Sequence, residues 1–429
     1  MTATAFLRSR TVPLAPPVNP SRAAFTARAI TYLIALGVFL AVAWAYRAGY
    51  YRGEPYPTST FLMGPWGHFH DLTDFFVPLR ANDPVAAFSV YPPFSYLVVE
   101  PFVWVGQSAS TVIWLLIAVG GLGSFVARQL DFISPMDRAA SVAVLTVINY
   151  PFLFSFDRGN VDVFVTVLLA GFVWSLQTNR PLVAAALVGA AGAMKGYPIL
   201  FASLLLIRRE WSATIAAVVV AAVLTLASTA YLGLGVGEMI DLLRTNLASF
   251  NESYAVGNLG LAFGSSLFGV LKLFSVDVLG VSSETVHSML PIYSAATTLT
   301  LIGAIIALWR LPLRFWEQIT LLCVATTLLP AVSSDYKLLA LVIPLALFIR
   351  YGSDDPWRWW YAGAFVILMI PKAYVLLRPL SGGIDSAANL GVIVNPVALL
   401  MLGGMVLTAG VRRWQTERPD ADAAEPECA

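Results

Sequence analysis

The sequence predicts an all-α, polytopic membrane protein: a bundle of about twelve transmembrane helices, with a re-entrant or juxtamembrane segment after the first extracytoplasmic loop. Three observations carry that expectation. The chain has 429 residues, of which 58% are hydrophobic and only 12% charged, about half the ~25% charge of a soluble domain. Runs such as Ala29–Tyr46, Trp211–Leu234 and Tyr361–Leu377 approach the roughly 20 apolar residues needed to cross a bilayer. Arginines recur between such runs in a pattern that assigns alternate loops to one side.

Taken in order, residues 1–28 are polar, with Arg8, Arg10, Arg22, Arg28 and several prolines. They read as a disordered cytoplasmic tail, with the first span doubling as an uncleaved signal. Spans are expected near 29–46, 111–127, 139–156, 161–177, 182–194, 197–207, 212–234, 289–309, 316–331, 338–349, 359–377 and 391–411. One threading places the N-terminal tail, Arg128/Arg138, Arg180, Arg208/Arg209, Arg310/Arg314, Arg350/Arg358 and Arg412/Arg413 all on the cytoplasmic side. Both termini are then inside, and Lys195, Lys272, Lys337 and Lys372 are all outside. The transmembrane domain, 29–411, is followed by a second disordered tail, 412–429, ending in an Asp-, Glu- and Pro-rich stretch.

Two segments need separate argument. Residues 182–194 and 197–207 are short, and thirteen helical residues reach only about 20 Å. The alternative is one continuous helix, Leu182–Ile207, with Lys195 buried mid-membrane, which would invert every later loop. Gly192, Gly196 and Pro198 bracket the lysine and favour a break. Tyr91–Val105 is apolar but short and is interrupted by Pro92, Pro93 and Pro101. It reads as a re-entrant or juxtamembrane hairpin, tolerated where protein or a water-filled cavity covers its backbone. The first extracytoplasmic loop is 47–90. In the long external loop 235–288, Glu238–Leu247 reads as an amphipathic interfacial helix, and Leu259–Phe274 as a second one or a half-buried hairpin. Cys323 lies in an apolar run and Cys428 in the tail, so no structural disulfide is expected. The basic residues are scattered rather than clustered on one element, which excludes a nucleic-acid partner.

This threading gathers the unusual polar motifs on the outer face: Asp71/Asp74, Asp157-Arg158-Gly159-Asn160 with Asp162, Lys195, Asn251-Glu252 with Asn258, and Asp335-Tyr336-Lys337. Charged groups at membrane depth mark functional sites by default. Each motif alone has a plainer reading. Asp157 and Arg158 can pair at a surface turn, Asn160 or Asp162 can cap the helix that follows, and Asp335 can pair with Lys337. Lys195, between Met194 and Gly196-Tyr197-Pro198, is harder to place without an anionic partner. Their convergence on one side argues for a shared cavity. A carboxylate there can take a proton from an attacking hydroxyl, and Lys and Arg can hold a phosphate leaving group. Together they describe glycosyl transfer from a lipid-linked phosphosugar to an alcohol. Asp71 and Asp74 are the candidate bases; Arg158, Lys195 and Lys337 the candidate phosphate ligands; Tyr91, Asn160, Asn258, Asp335 and Tyr336 the candidate substrate contacts. His68 and His70 stand near Asp71 without metal-site spacing, so no metal or other cofactor is expected. No phosphate-cradling glycine loop or Ser-His-Asp arrangement is present.

The order of these motifs resembles the polyprenyl-phosphate-mannose-dependent mannosyltransferases of glycosyltransferase family 87, also called the DUF2029 family, over roughly 29–411. Asp71-Leu72…Phe75 looks like the family's Asp-Leu/Phe-x-x-Tyr, and Tyr91-Pro92-Pro93 like its Tyr-Pro-Pro. Gly159-Asn160 is similar to a shortened Gly-Gln-x-Asn turn, Lys195-Gly196-Tyr197-Pro198 to its Lys-x-x-Pro, and Asn258-Leu259-Gly260 weakly to an external Asn-Gln-Ser segment. The resemblance implies a GT-C fold and an inverting transfer of a mannose-like or arabinofuranose sugar. The donor would be a polyprenyl phosphate and the acceptor a lipid or glycan hydroxyl, with an aspartate base and an extracytoplasmic active site at the cell membrane. One departure concerns the donor: where the family usually carries a Ser-Pro…Trp-x-His segment, this chain has Ser333-Ser334-Asp335-Tyr336-Lys337; Lys337 is the candidate replacement for the histidine, and mannose, arabinofuranose and other sugars all stay open as the transferred group. Asp74 occupies a position that is apolar in the family. The competing class is a transporter or flippase of a lipid-linked or anionic substrate, for which the inverted repeats common in transporters are not visible. A purely structural envelope subunit would leave the gathered charges unexplained.

Overall fold

The computed structural model describes residues 19–52, 71–72, 90–257, 259, 261–372, 376–378 and 388–417. Helices overlap the expected spans in part: the expected span 359–377 is helical only over Arg358–Met369 and its far end enters a strand, Leu376–Arg378, while 139–156 is broken at Asn149. In chain order, α1 is Pro20–Arg52, α2 Pro93–Val105, α3 Ser108–Gln129, α4 Pro135–Ile148, α5 Tyr150–Arg158, α6 Asp162–Gln177, α7 Pro181–Lys195, α8 Tyr197–Ile207 and α9 Trp211–Tyr231. Then follow α10 Val236–Phe250, α11 Leu267–Asp277, α12 Ser283–Arg310, α13 Phe315–Leu328, α14 Val342–Tyr351, entered through a 3₁₀ turn at Asp335–Leu341, α15 Arg358–Met369 and α16 Gly391–Thr416. The remainder of the described secondary structure includes a small antiparallel pair, β1 Leu376–Arg378 and β2 Ala388–Asn389. Five helices are long and apolar enough to cross a membrane alone, or six if the pair α4 and α5, bent by 46°, is one span. The molecule is a multi-pass membrane protein.

Helix composition explains position. Every residue of α13 is buried, Glu317 and Gln318 included, so neighbouring elements enclose it on all sides; its Trp316 packs against Phe348 and Tyr361 at 5.1 and 5.0 Å. In α12 and α9 only 11% and 22% of the apolar window is buried, and Leu299, Ile302, Val219 and Val223 point outward. These faces suit lipid, not water. The first helix begins at Pro20, earlier than the expected start at Ala29. Ala23 and Ala27 are buried there, and ion pairs tie Arg22 to Asp354 and Arg28 to Asp137. The last helix likewise runs to Thr416, past the expected end of the domain.

Polar side chains sort to two ends of the bundle. At one end Gln129 pairs with Gln177 at 2.8 Å, Arg350 meets Asp131 at 2.6 Å, and Arg413 meets the buried Glu317 at 2.5 Å. About 15 residues of α6, roughly 23 Å, separate Gln177 from Asp162 at the other end. The loop between α7 and α8 decides how the chain reverses. Arg208, after α8, donates to the Leu176 carbonyl at 3.0 Å, beside the start of α7, so α7 and α8 run to Lys195 and back. Gly196 makes that reversal with φ 49° and ψ −59°. Since nothing lies within 4 Å of a Cβ placed there, Gly196→Ala should cost about 1–3 kcal/mol through backbone strain alone, read as a lower unfolding midpoint in detergent. An unchanged midpoint would mean that the turn relaxes freely.

Candidate active site

Local rules build the centre of the site. Helix α5 ends at Gly159 in the left-handed conformation (φ 65°, ψ 34°). The Asn160 amide donates to the Ser155 carbonyl at 2.9 Å, and that of Gly159 to Phe156 at 3.0 Å, the usual glycine-terminated helix end. This turn aims Asn160 inward, where it is fully buried. Its side-chain oxygen accepts from the Asp162 amide at 3.0 Å and from Lys195 Nζ at 3.1 Å. Its nitrogen donates to Asp71 Oδ2 at 2.6 Å and to the Tyr91 hydroxyl at 3.3 Å. Asn160 therefore caps α6 and also links an acid to a cation through one amide.

Lys195 finds the anionic partner its setting requires. It ion-pairs with Asp162, the two side chains being 7% and 1% exposed, while Tyr197 donates to the other oxygen of Asp162 at 2.8 Å. The ammonium also lies 4.9 Å from the Tyr91 ring centre and 4.5 Å from that of Tyr336. Ser95 of α2 donates to the Met194 carbonyl at 2.6 Å, which fastens the segment after Tyr91 to the end of α7.

The other two expected cations are held differently. Lys337 sits 5.1 Å from the Tyr197 ring centre, and Arg158 lies over Phe154 and Phe263 at 5.7 and 5.3 Å. Neither has a hydrogen-bond acceptor or ion-pair partner for its charged end among the described residues. Phe154 stacks on Tyr336 at 6.2 Å, so Arg158, Phe154, Tyr336 and Lys195 form a continuous ladder. The expected local pair of Asp335 with Lys337 is not what Asp335 does. Its carboxylate, in a residue 3% exposed, accepts from Tyr150 at 2.6 Å, Ser265 at 2.5 Å and Asn395 at 2.9 Å.

The structure thus brings Asp71, Tyr91, Asn160, Lys195, Tyr336 and Lys337 together, with Arg158 along the same aromatic ladder. Asp335 adjoins them but faces a separate polar knot. Asp74 and Asn258 lie outside the described residues, as do His68 and His70. Among the described residues no group of His, Cys, Asp and Glu is disposed to hold a metal ion. Glu252 pairs with His287 on the surface at 3.1 Å. Sequence reasoning gave Asp162 only a capping role and Tyr197, inside the Lys195–Pro198 motif, no role of its own. It also passed over Tyr150, Ser265 and Asn395. The signal for Asn395 is a lone amide beside Pro396 in an apolar span; Ser265 carries none that stands out.

The cluster thus holds an acid bound by an amide, a buried ion pair and two cations without acceptors among the described residues. No curated protein and no solved structure matches the chain. The family model for glycosyltransferase family 87 matches residues 89–334, more than half of the chain, ending just before Asp335–Lys337 and beginning after Asp71; the chain belongs to glycosyltransferase family 87.

Proposed function

We propose that this membrane glycosyltransferase moves a hexose or pentose from a polyprenyl-phosphate donor to a lipid or glycan hydroxyl, by inversion, within a GT-C-type bundle of twelve crossings. Both termini then lie in the cytoplasm and the Asp71 cluster faces outward, as the arginines at the opposite end favour. Both Ser95 and Phe102 of α2 pack at the site end, against Met194 and Phe164, which supports reading α2 as juxtamembrane rather than spanning. One pattern of contacts supports the chemical reading: Asp71 is held by Asn160, which also holds Lys195, Lys337 lies over Tyr197, and Arg158 lies over Phe154, which stacks on Tyr336. Asp71 takes the proton of the acceptor hydroxyl, whose oxygen attacks the sugar C1 from the face opposite the phosphate. The C1–O bond breaks, and the polyprenyl phosphate departs with its electron pair, neutralised by Lys337 and Arg158. Lys195, committed to Asp162, shapes the site electrostatically rather than gripping the phosphate itself.

Purified protein in lipid nanodiscs, offered polyprenyl-phosphate sugars and a lipid alcohol, tests this reading by product formation. Donor binding without any product would favour transport. Lys337→Ala should raise the donor KM about 10- to 100-fold, the worth of one charge-assisted hydrogen bond. An unchanged donor KM would remove Lys337 from the phosphate site.

A further inference from the structure

The knot around Asp335 joins four distant parts of the chain. Tyr150 opens α5, Ser265 comes from the external stretch before α11, Asn395 lies in the last helix, and Asp335 begins the 3₁₀ turn that enters α14. The external stretch is sewn down further: Ser265 donates its amide to the Ser333 carbonyl at 2.7 Å, Gly264 bridges Ser334, and Ser266 donates to the Ala331 carbonyl at 2.9 Å. Two residues before Ser265, Phe263 packs on Phe154 at 5.0 Å and carries Arg158.

In a 3₁₀ turn, with three residues per turn, successive side chains leave the axis about 120° apart. Fixing Asp335 therefore fixes where Tyr336 and Lys337 point. Asp335 accepts every hydrogen bond it makes, as an ionised carboxylate does, and Lys372, over the Tyr150 ring at 6.0 Å, is a nearby counter-charge. With both oxygens occupied and the side chain buried, Asp335 is poorly placed to contact a sugar or an acceptor.

We infer that Asp335, locked by Ser265, Tyr150 and Asn395, is a positioning residue that sets Lys337 and, through the Ser265 segment, Arg158 at the spacing that grips the donor phosphate. This rests on the proposed donor class and deepens it. Buried polar networks rigidify what they join; here both oxygens of the Asp335 carboxylate are hydrogen-bonded, while Asn395 Oδ1 has no partner among the described residues, and the three donors come from elements with no sequence proximity.

A double-mutant cycle on full-length protein in nanodiscs, with polyprenyl monophosphate as the binding probe, tests it. Ser265→Ala and Asp335→Asn should each weaken binding about tenfold, the scale of a hydrogen bond to a charged group. In the Lys337→Ala background the same changes should cost only about threefold, because Arg158 alone is left for them to position. In turnover, the donor KM should rise while kcat stays within about threefold. Equal weakening in both backgrounds, or a loss confined to kcat, would overturn the positioning role. If Asp335→Asn does not fold, Ser265→Ala completes the cycle, since it removes one hydroxyl and leaves Tyr150 and Asn395 in place. Failure of the unmodified protein to bind polyprenyl monophosphate would overturn the donor reading as well. Binding with no coupling would overturn the positioning role alone.

Discussion

Asp71→Asn is expected to lower sugar transfer by about 10²- to 10⁴-fold, the usual contribution of a general base, with donor binding kept within about threefold. The geometry makes this substitution clean. Asp71 Oδ2 accepts from Asn160, and the second oxygen has no partner among the described residues. One oxygen is thus anchored, and on the proposed mechanism the other takes the proton of the acceptor hydroxyl. An asparagine can still offer its oxygen to Asn160, so the loop position and the shape survive while the proton acceptor is lost. Polyprenyl monophosphate binding and the unfolding midpoint serve as the controls, with single-turnover transfer as the readout. Wild-type turnover in Asp71→Asn would remove Asp71 as the base, and Asp74→Asn, measured beside it, shows whether that role belongs to the neighbouring acid.

The all-α, membrane-spanning character was readable because bilayer crossing imposes a length and a composition on each helix, and five described helices meet both alone, or six if α4 and α5 are one span. What periodicity could not give was the extent of the ends. Helix α1 starts earlier than its apolar run, where Arg22 finds Asp354 in the turn after α14 and Arg28 finds Asp137 on α4, a tertiary fact absent from local sequence. The reversal at Gly196 was legible, since glycine and proline beside a lone lysine in an apolar run are costly without a reason. The separation of roles among the cations was not. Arg158, Lys195 and Lys337 look alike in sequence, yet one has a buried acid and two have aromatic faces, and that depends on which helices meet. Asp335 shows the same limit. Adjacent in sequence to two residues of the cluster, it faces elsewhere because the 3₁₀ turn rotates successive side chains apart.

The largest stability effect should come from Lys195. Replacing it with methionine keeps the length of the side chain but leaves Asp162, 1% exposed, as a buried charge whose ammonium partner is gone. Breaking a buried pair in this way costs about 3–5 kcal/mol, because the remaining charge loses both water and its counter-ion. The Tyr197 hydroxyl and the aromatic faces of Tyr91 and Tyr336 offset little of that. Lys195→Met should therefore lower the unfolding midpoint sharply, whereas Lys195→Met with Asp162→Asn should recover most of the loss, since no isolated charge remains. Transfer should not recover with it: Asn160 would lose the ammonium at 3.1 Å, and with it part of the hold on Asp71. Stability regained without activity would separate the two duties of the pair, one in folding and one in keeping the base aligned. If the double variant unfolds as readily as Lys195→Met alone, the ion pair is not what the lysine contributes. The cation–π contacts with Tyr91 and Tyr336 would then be the stabilising element, and Tyr336→Leu should reproduce the defect.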